Sequence, residues 1–139
     1  MIDIESDVLT AVATALRTQF SGIRVDGFYI SSTAQLPAVS VVEADNRIFK
    51  SMRTTKIENA DEVMYEVNIF SGKPSGRKAE AKAIASATDT VMESLGFTRT
   101  MMEQVPNYAD ASIFRLVLRY EGIVGPGSEA GKYLVYHSN

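Results

Sequence analysis

Residues 96–124 have the sequence GFTRTMMEQVPNYADASIFRLVLRYEGIV, which contains the longest regular strand pattern of the chain. The stretch opens at Gly96, passes through a turn at Pro106-Asn107 and ends in a predicted strand, Ser112–Val124. Side chains alternate between the two faces of a strand. The apolar face comprises Phe114, Leu116, Leu118 and Tyr120. The opposite face mixes apolar and charged side chains and comprises Ile113, Arg115, Val117, Arg119 and Glu121. The pattern predicts a strand with one face on the core and the other available for contacts.

Length and composition predict one soluble globular domain. The chain has 139 residues, of which 45% are hydrophobic, and this is enough to build a single core. It has no cysteine, which excludes disulfides, thiolate catalysis and cysteine-ligated zinc. The net charge of -3 argues against a protein that mainly binds nucleic acid non-specifically. No apolar run reaches about 20 residues, and the acidic start MIDIESDVLT does not resemble a signal peptide. We therefore expect the chain to be cytosolic at synthesis.

Helical periodicity predicts two helices. The first runs from Asp3 or Ser6 to Phe20, and the second spans about Gly76 to Leu95, with Gly96 as a left-handed cap. The apolar stripe of the first helix comprises Val8, Leu9, Val12, Ala15, Leu16 and Phe20. The stripe of the second comprises Ala83 or Ile84, then Ala87, Val91 and Leu95.

Three further segments have strand patterns. They are Ile23–Ser31, Ala38–Ala44 and Val63–Ser71, and the segment Thr33–Pro37 separates the first two. The order of elements predicts an α+β fold with a mainly antiparallel sheet of about four to five strands, packed by two helices on one face. We expect residues 1–124 to form this single domain and residues 125–139 to form a flexible C-terminal arm.

The polar segment Asn46–Asp61 is either a loop or an extended hairpin that projects from the domain. Four basic residues recur in it at every third position: Arg47, Lys50, Arg53 and Lys56. Such a row is typical either of a basic arm that contacts an acidic partner or of an ordinary solvated loop. For the Ser112–Val124 strand, we prefer an interface that includes Arg115, Arg119 and Glu121 over a merely hydrated face.

The C-terminal arm contains a flexible linker, Gly125–Gly131, followed by the apolar run Tyr133–Tyr136. Four residues are too few to fold alone, so we expect this run to add a strand to an exposed sheet edge. This edge belongs either to the same chain or to a neighbouring chain, and we prefer a neighbouring chain. Tyr133 and Tyr136 are accordingly candidate interface residues.

Catalytic and metal-binding patterns are weak. The single histidine, His137, lies near the C-terminus, where a solvated tail is the simpler interpretation. The segment GKPSG at residues 72–76 lacks the spacing of a phosphate-binding loop, and we interpret it as a turn in which Ser75 caps the second helix. Two acidic clusters, Glu58 with Asp61 and Glu62, and Glu43 with Asp45, are interpreted as surface charge. We therefore predict no catalytic residue, metal or cofactor.

The order of elements resembles that of the tail-terminator, or tail-completion, proteins of long-tailed bacteriophages. The similarity lies in GFTRT after an alanine-rich helix, the Pro106-Asn107 turn and SIFRLVLRYEGIV. It extends to VMYEVNIFSGKPSGRKAEAKAIASATDTVMESL and to the opening helix followed by LPAVSVVEADN, so that it covers roughly residues 6–124.

The resemblance implies a small structural subunit of the virion tail, assembled in the host cytoplasm. Such subunits form a ring, often hexameric, that ends the tail tube and joins it to the head-neck complex. The implied partners are other copies of the chain, the tail tube protein and a head-neck connector, and DNA passes through the ring. Another head-tail connector or adaptor is an alternative, as is a small α+β enzyme that uses carboxylates. The resemblance implies no membrane partner and no sequence-specific nucleic acid.

Overall fold

The computed structural model describes residues 2–30, 35–48, 61–106 and 110–125, together with the backbone of residues 135–136. Its elements, in chain order, are α1 (Glu5–Gln19), β1 (Arg24–Asp26), β2 (Ala38–Ile48), β3 (Asp61–Ser71), α2 (Arg77–Ser94), β4 (Thr98–Gln104), β5 (Phe114–Val124) and β6 (Val135–Tyr136). The strands form one sheet in the order β1-β2-β3-β5-β4, and β6 pairs with β5. Only β1 and β2 are parallel. Both helices pack against this sheet, which confirms the predicted α+β class.

The centre of the sheet is the antiparallel pair β3–β5, which stays in register along all eleven residues of each strand. The residues that face the helices are buried, and they comprise Val63, Tyr65, Val67, Ile69, Leu116, Leu118 and Tyr120. The ring of Phe97 packs edge-to-face on Tyr65, with centroids 5.4 Å apart. The predicted assignment of the two faces of β5 is confirmed.

The helices bury different proportions of their predicted stripes. Val8, Val12 and Leu16 of α1 are fully buried, as predicted. In α2, Ile84 is buried as predicted, and Ala87, Val91 and Leu95 pack partly buried against the core. The buried residues also include Ala81, Ala85, Thr88 and Met92, so the centre of the stripe is rotated from its predicted position. Ala83 is exposed. Alanines occupy every second position from residue 79 to residue 87, so the hydrophobic pattern there does not single out one helical face.

Helix α2 ends as predicted but begins differently. Gly96 has a φ of 94°, and Phe97 N–H donates to Met92 O at 3.0 Å while Gly96 N–H donates to Glu93 O at 2.9 Å. These two bonds define a Schellman motif. At the start, Gly76 occupies the N-cap position with a φ of 85° and no side-chain cap. The prediction that Ser75 caps this helix was therefore wrong.

Strand lengths also differ from the prediction. The strand predicted over Ile23–Ser31 ends at Asp26. At the next residue, Gly27, the chain passes close to α1. A Cβ at this glycine would lie only 2.9 Å from Leu9 Cδ2. Strand β2, predicted to end at Ala44, continues to Ile48 through a bulge between Glu43 and Asp45.

The start of the polar segment predicted as a loop or hairpin therefore belongs to β2, and Ile48 pairs with Asp61 of β3. Residues 49–60, including Lys50, Arg53 and Lys56, lie outside the described residues.

The C-terminal strand pairs within its own chain. Val135 and Tyr136 form β6 opposite Val124 and Ile123 of β5. The preference for a neighbouring chain as the owner of this edge was therefore wrong. Tyr133 and His137 lie outside the described residues, as does most of the predicted linker. In the part of the chain that the structure describes, no helix combines the length and apolarity needed to cross a bilayer.

Replacing Leu116 by alanine should destabilise the domain by about 2–5 kcal/mol, because it leaves a cavity in the core between the sheet and the helices. Leu116 is buried on the core face of β5. Met102→Ala, on the neighbouring strand, is the matched control, since its side chain is 47% exposed. It should change stability by no more than about 0.5 kcal/mol. Urea unfolding followed by circular dichroism would measure both. Equal effects of the two substitutions would contradict the assignment of the core face.

Candidate interaction surface

The candidate site is the face of the sheet turned away from the helices, called here the outer face. It is defined by the alternate residues Glu66, Asn68 and Phe70 of β3, and by Arg115, Val117, Arg119 and Glu121 of β5. Register places Asn68 opposite Val117 and Glu66 opposite Arg119. The sequence predicted that the two arginines share this face, and the structure confirms it.

A chain of hydrogen bonds joins the polar side chains of the outer face. Arg115 donates from Nε and Nη2 to Asn68 Oδ1 at 3.0 and 2.7 Å. Asn68 Nδ2 donates to Glu66 Oε2 at 3.2 Å. Arg119 donates from Nε and Nη2 to Glu66 Oε1 at 3.3 and 3.2 Å. The two arginines thus flank one connected network, which holds their guanidinium groups in defined positions.

The network is buried at one end and open at the other. Asn68 is almost fully buried, and the Arg115 guanidinium lies 5.5 Å from the centroid of the Phe70 ring, in a cation–π arrangement. The Arg119 side chain is 45% exposed, whereas that of its partner Glu66 is 15% exposed. Arg115 therefore has a structural role within the subunit, whereas Arg119 is the arginine of the network that is accessible to a binding partner.

The segment after β1 runs across part of this face. Ile30 and Leu36 pack on a small apolar cluster of Ala38, Phe70 and Ile113. Burial raises the pKa of the Tyr29 hydroxyl, and Glu66 raises it further through its charge and a hydrogen bond. Tyr29 is nevertheless 59% exposed, and the adjacent Phe28 is 83% exposed.

Tyr29 lies near Glu66 and Arg119, and Phe28 is the exposed residue before it in the chain. An exposed aromatic ring near a positioned arginine has the composition of a protein-binding hot spot. Sequence reasoning missed Phe28 and Tyr29, because it assigned them to a strand. The sequence did contain a signal for the exposure of one of them. In a strand, consecutive side chains point to opposite faces, so the two aromatic residues after Gly27 could not both face the core.

The other predicted interface residues are placed less centrally. Glu121 lies on the outer face between Met64 of β3 and Thr98 of β4, and it is partly exposed. Arg47 is exposed near the end of β2, where it bonds to Glu62 at 3.1 Å and lies 3.5 Å from Asp45. The hydrogen bond to Glu62 raises the pKa of Arg47. Arg47 is the one residue of the basic row that the structure describes, and these acidic neighbours balance its positive charge.

Glu43 lies on the helix side of the sheet and links β2 to α1. Its carboxylate accepts hydrogen bonds from the Tyr65 hydroxyl at 3.0 Å and from Asn46 Nδ2 at 3.4 Å. Its backbone N–H donates to Glu5 Oε2 at 2.9 Å. Burial raises the pKa of Glu43, and the hydrogen bonds from Tyr65 and Asn46 oppose this effect. The interpretation of Glu43 as plain surface charge was therefore wrong. Among the described residues, no group of acidic or histidine side chains is arranged to hold a metal ion.

Two clefts lie at opposite ends of β4. One, of about 440 Å³, opens where β4 ends, and its lining includes Arg77, Pro106, Phe114 and Arg115. The other, of about 220 Å³, lies where β4 begins and is lined by Asp89, Glu93, Phe97, Thr98 and Arg99. The first cleft is positively charged and partly apolar, whereas the second contains two carboxylates and one guanidinium. These features suit the recognition of charged groups.

Substitution of Arg115 and of Arg119 should affect the free energy of unfolding differently, because Arg115 has a structural role and Arg119 is partly exposed. Arg115→Met leaves the buried Asn68 Oδ1 without its donor, so we expect a loss of about 1–3 kcal/mol in the free energy of unfolding. Arg119→Met removes a partly exposed ion pair and should cost at most about 1 kcal/mol. Urea unfolding would compare the two variants directly. A larger loss for Arg119→Met would contradict the assigned burial of the network.

Glu43→Gln should alter the pH dependence of stability. Because the pKa of Glu43 is raised in the folded state, the folded chain binds this proton more tightly than the unfolded chain does. The contribution of Glu43 to the free energy of unfolding is therefore lost as the pH rises from the ordinary carboxyl pKa through the pKa of Glu43 in the folded state. The variant should be at least as stable as the parent at pH values above the folded pKa of Glu43. It should lose less stability as the pH rises above the ordinary carboxyl pKa.

Unfolding by urea at a series of pH values would test this expectation, with the exposed Glu103→Gln as control. A variant that is less stable at neutral pH, with an unchanged pH profile, would show that the Tyr65 hydrogen bond outweighs the cost of burial.

The chain matches no protein-family model, and no curated protein sequence is significantly similar to it.

Proposed function

We propose that this protein is a structural subunit of a long-tailed bacteriophage virion. Copies of it assemble in the host cytoplasm into a ring, with six as the proposed number, that ends the tail tube and joins it to the head-neck complex. Its partners are other copies of the chain, the tube protein and a head-neck connector, and DNA passes through the ring. The proposed role requires no catalytic residue, metal or cofactor.

The observation that carries this proposal is the outer face of the sheet. The exposed ring of Tyr29 lies beside it, near Arg119, whose guanidinium is held by Glu66, and the exposed Phe28 precedes Tyr29 in the chain. Aromatic and arginine side chains contribute most to binding energy at protein interfaces, above all when they are already held in place. This surface lies on a central strand pair, so it is positioned by the most extensively paired part of the fold.

A closed ring requires that each subunit present two different surfaces, one to each neighbour. The outer face supplies one of them in this proposal. The second has to lie elsewhere on the subunit, and the exposed end of the β2–β3 hairpin is a suitable region. There Arg47 and Ile48 extend beyond the buried part of β2. Both surfaces belong to one compact sheet, so a contact at one orients the other.

Loss of the gene product should leave tube growth unregulated. We expect tails of irregular length that do not join to heads, visible by negative-stain electron microscopy of infected-cell lysates. Supplying the protein in trans should restore tails of uniform length. Tails of normal length joined to heads in its absence would overturn the proposal. Tails of normal length that fail to join would instead indicate a connector or adaptor.

A surface variant tests the contribution of the outer face. Phe28→Glu places a charge on a side chain that is 83% exposed, so the subunit should fold normally but fail to restore tail length in the same assay. The control is Ala83→Glu, an exposed position on α2 in the opposite layer of the domain. Equal complementation by the two variants would exclude Phe28 from the interface.

A further inference from the structure

A second surface, distinct from the outer face, lies along strand β4. Among the strands that the structure describes, β4 forms one edge of the sheet. All of its residues are exposed except Met101, which is partly buried. An edge strand presents a row of backbone N–H and C=O groups that can pair with another strand. Near its centre, Met102 is 47% exposed, so the edge also offers apolar surface.

The two ends of this edge carry opposite charge. Strand β4 ends beside the cleft that contains Arg77 and Arg115. It begins beside the smaller cleft that contains Asp89 and Glu93. Asp89 is balanced by Arg99, whose Nε lies 3.4 Å away. Arg77 and Glu93 form no ion pair with any other residue that the structure describes. On the side of the sheet that faces the helices, each end of the edge thus keeps one charge that a partner could neutralise. The exposed Glu103 of β4 pairs with Val117 and lies on the outer side.

From this arrangement we propose that the free protein forms a dimer in which β4 pairs antiparallel with β4 of a second copy about a two-fold axis near Met101 and Met102. The antiparallel arrangement places the start of one β4 beside the end of the other. Arg77 of each copy then faces Glu93 of its partner, and the contact occurs twice. Parallel pairing would instead bring like charges together at both ends.

A second copy of the chain is the occupant that these charges favour. A two-fold interface uses the same surface on both subunits, so it must be complementary to itself. The β4 edge satisfies this condition, because its basic and acidic ends exchange places under a two-fold rotation. The bulge between Arg99 and Met101 interrupts regular pairing, which limits the contact to a short stretch and favours reversible association.

This dimer does not depend on the proposed ring. In a two-fold dimer both subunits use the same surface, so no third subunit can join through it. A ring instead needs two different contact surfaces on each subunit. Arg115 borders both the outer face and the cleft at the end of β4, but Arg77, Glu93 and Met102 do not belong to the outer face, so the β4 edge can be altered by itself. In an assembling system, the dimer would keep the sheet edge covered while the protein is free.

Analytical ultracentrifugation of the full chain over a range of concentrations tests the proposal. The parent should show a monomer–dimer equilibrium. Met102→Lys brings two like charges together near the axis and should weaken dimerisation on the order of tenfold or more. Thr14→Lys is the control, because Thr14 is exposed on α1, away from β4 and from both proposed ring surfaces. It should leave dimerisation unchanged. A parent that stays monomeric up to millimolar concentration would overturn the proposal.

Exchanging the charges of Arg77 and Glu93 distinguishes the antiparallel β4 dimer from a dimer of any other geometry. Arg77→Glu and Glu93→Arg should each weaken self-association, because each places like charges in contact twice. The double variant should recover the parent affinity. A mixture of the two single variants should form a heterodimer more readily than either forms a homodimer, since both contacts are then attractive. A dimer that does not respond to these exchanges, or a mixture with no heterodimer, would refute the antiparallel β4 interface. None of these outcomes depends on the formation of a ring.

Discussion

The pairing of β3 with β5 is the constraint on which the remaining structure depends. Its cross-strand partners lie far apart in the chain: Asn68 and Arg115 are separated by 47 positions. Bringing such segments together costs chain entropy, and the burial of one apolar face beneath two helices offsets that cost. Once the register is set, every side chain of both strands is assigned to a face. Tyr65 and Tyr120 then reach Glu43 and Asp89, and these hydrogen bonds tie the strand pair to β2 and α2.

The same register assembles the outer face. Asn68 and Glu66 of β3 meet Arg115 and Arg119 of β5, and each donor finds an acceptor at hydrogen-bond distance. Polar groups that are buried without partners destabilise a fold, so this network allows Asn68 to be almost fully buried. It also restrains Arg119 before any partner arrives, which reduces the entropy lost on binding. This arrangement supports a role in the recognition of another protein.

The face and the edge of the sheet offer different kinds of contact. The outer face presents side chains, and its selectivity comes from aromatic and guanidinium groups in defined positions. The β4 edge presents the backbone, whose hydrogen bonds are the same for most sequences, so its selectivity comes from the charges at its two ends. A protein that assembles with several partners benefits from such a separation, because occupation of one surface leaves the other free.

Local sequence determined the features that depend on periodicity and on single residues. Strand alternation assigned Leu116 and Leu118 to the core and Arg115 and Arg119 to the opposite face. Gly96 identified the end of α2, because the left-handed conformation favours glycine. Tertiary structure decided the features for which the local pattern is uninformative or misleading.

The alternating alanines of α2 leave its buried face undetermined until the helix packs on the sheet. Strand β4 has mostly polar, exposed residues, and its pairing with β5 is what makes it a strand. The exposed position of Phe28 and the partial burial of Glu43 likewise depend on which segments meet in space. Periodicity is a property of the local chain, whereas burial and pairing depend on residues that are distant in sequence.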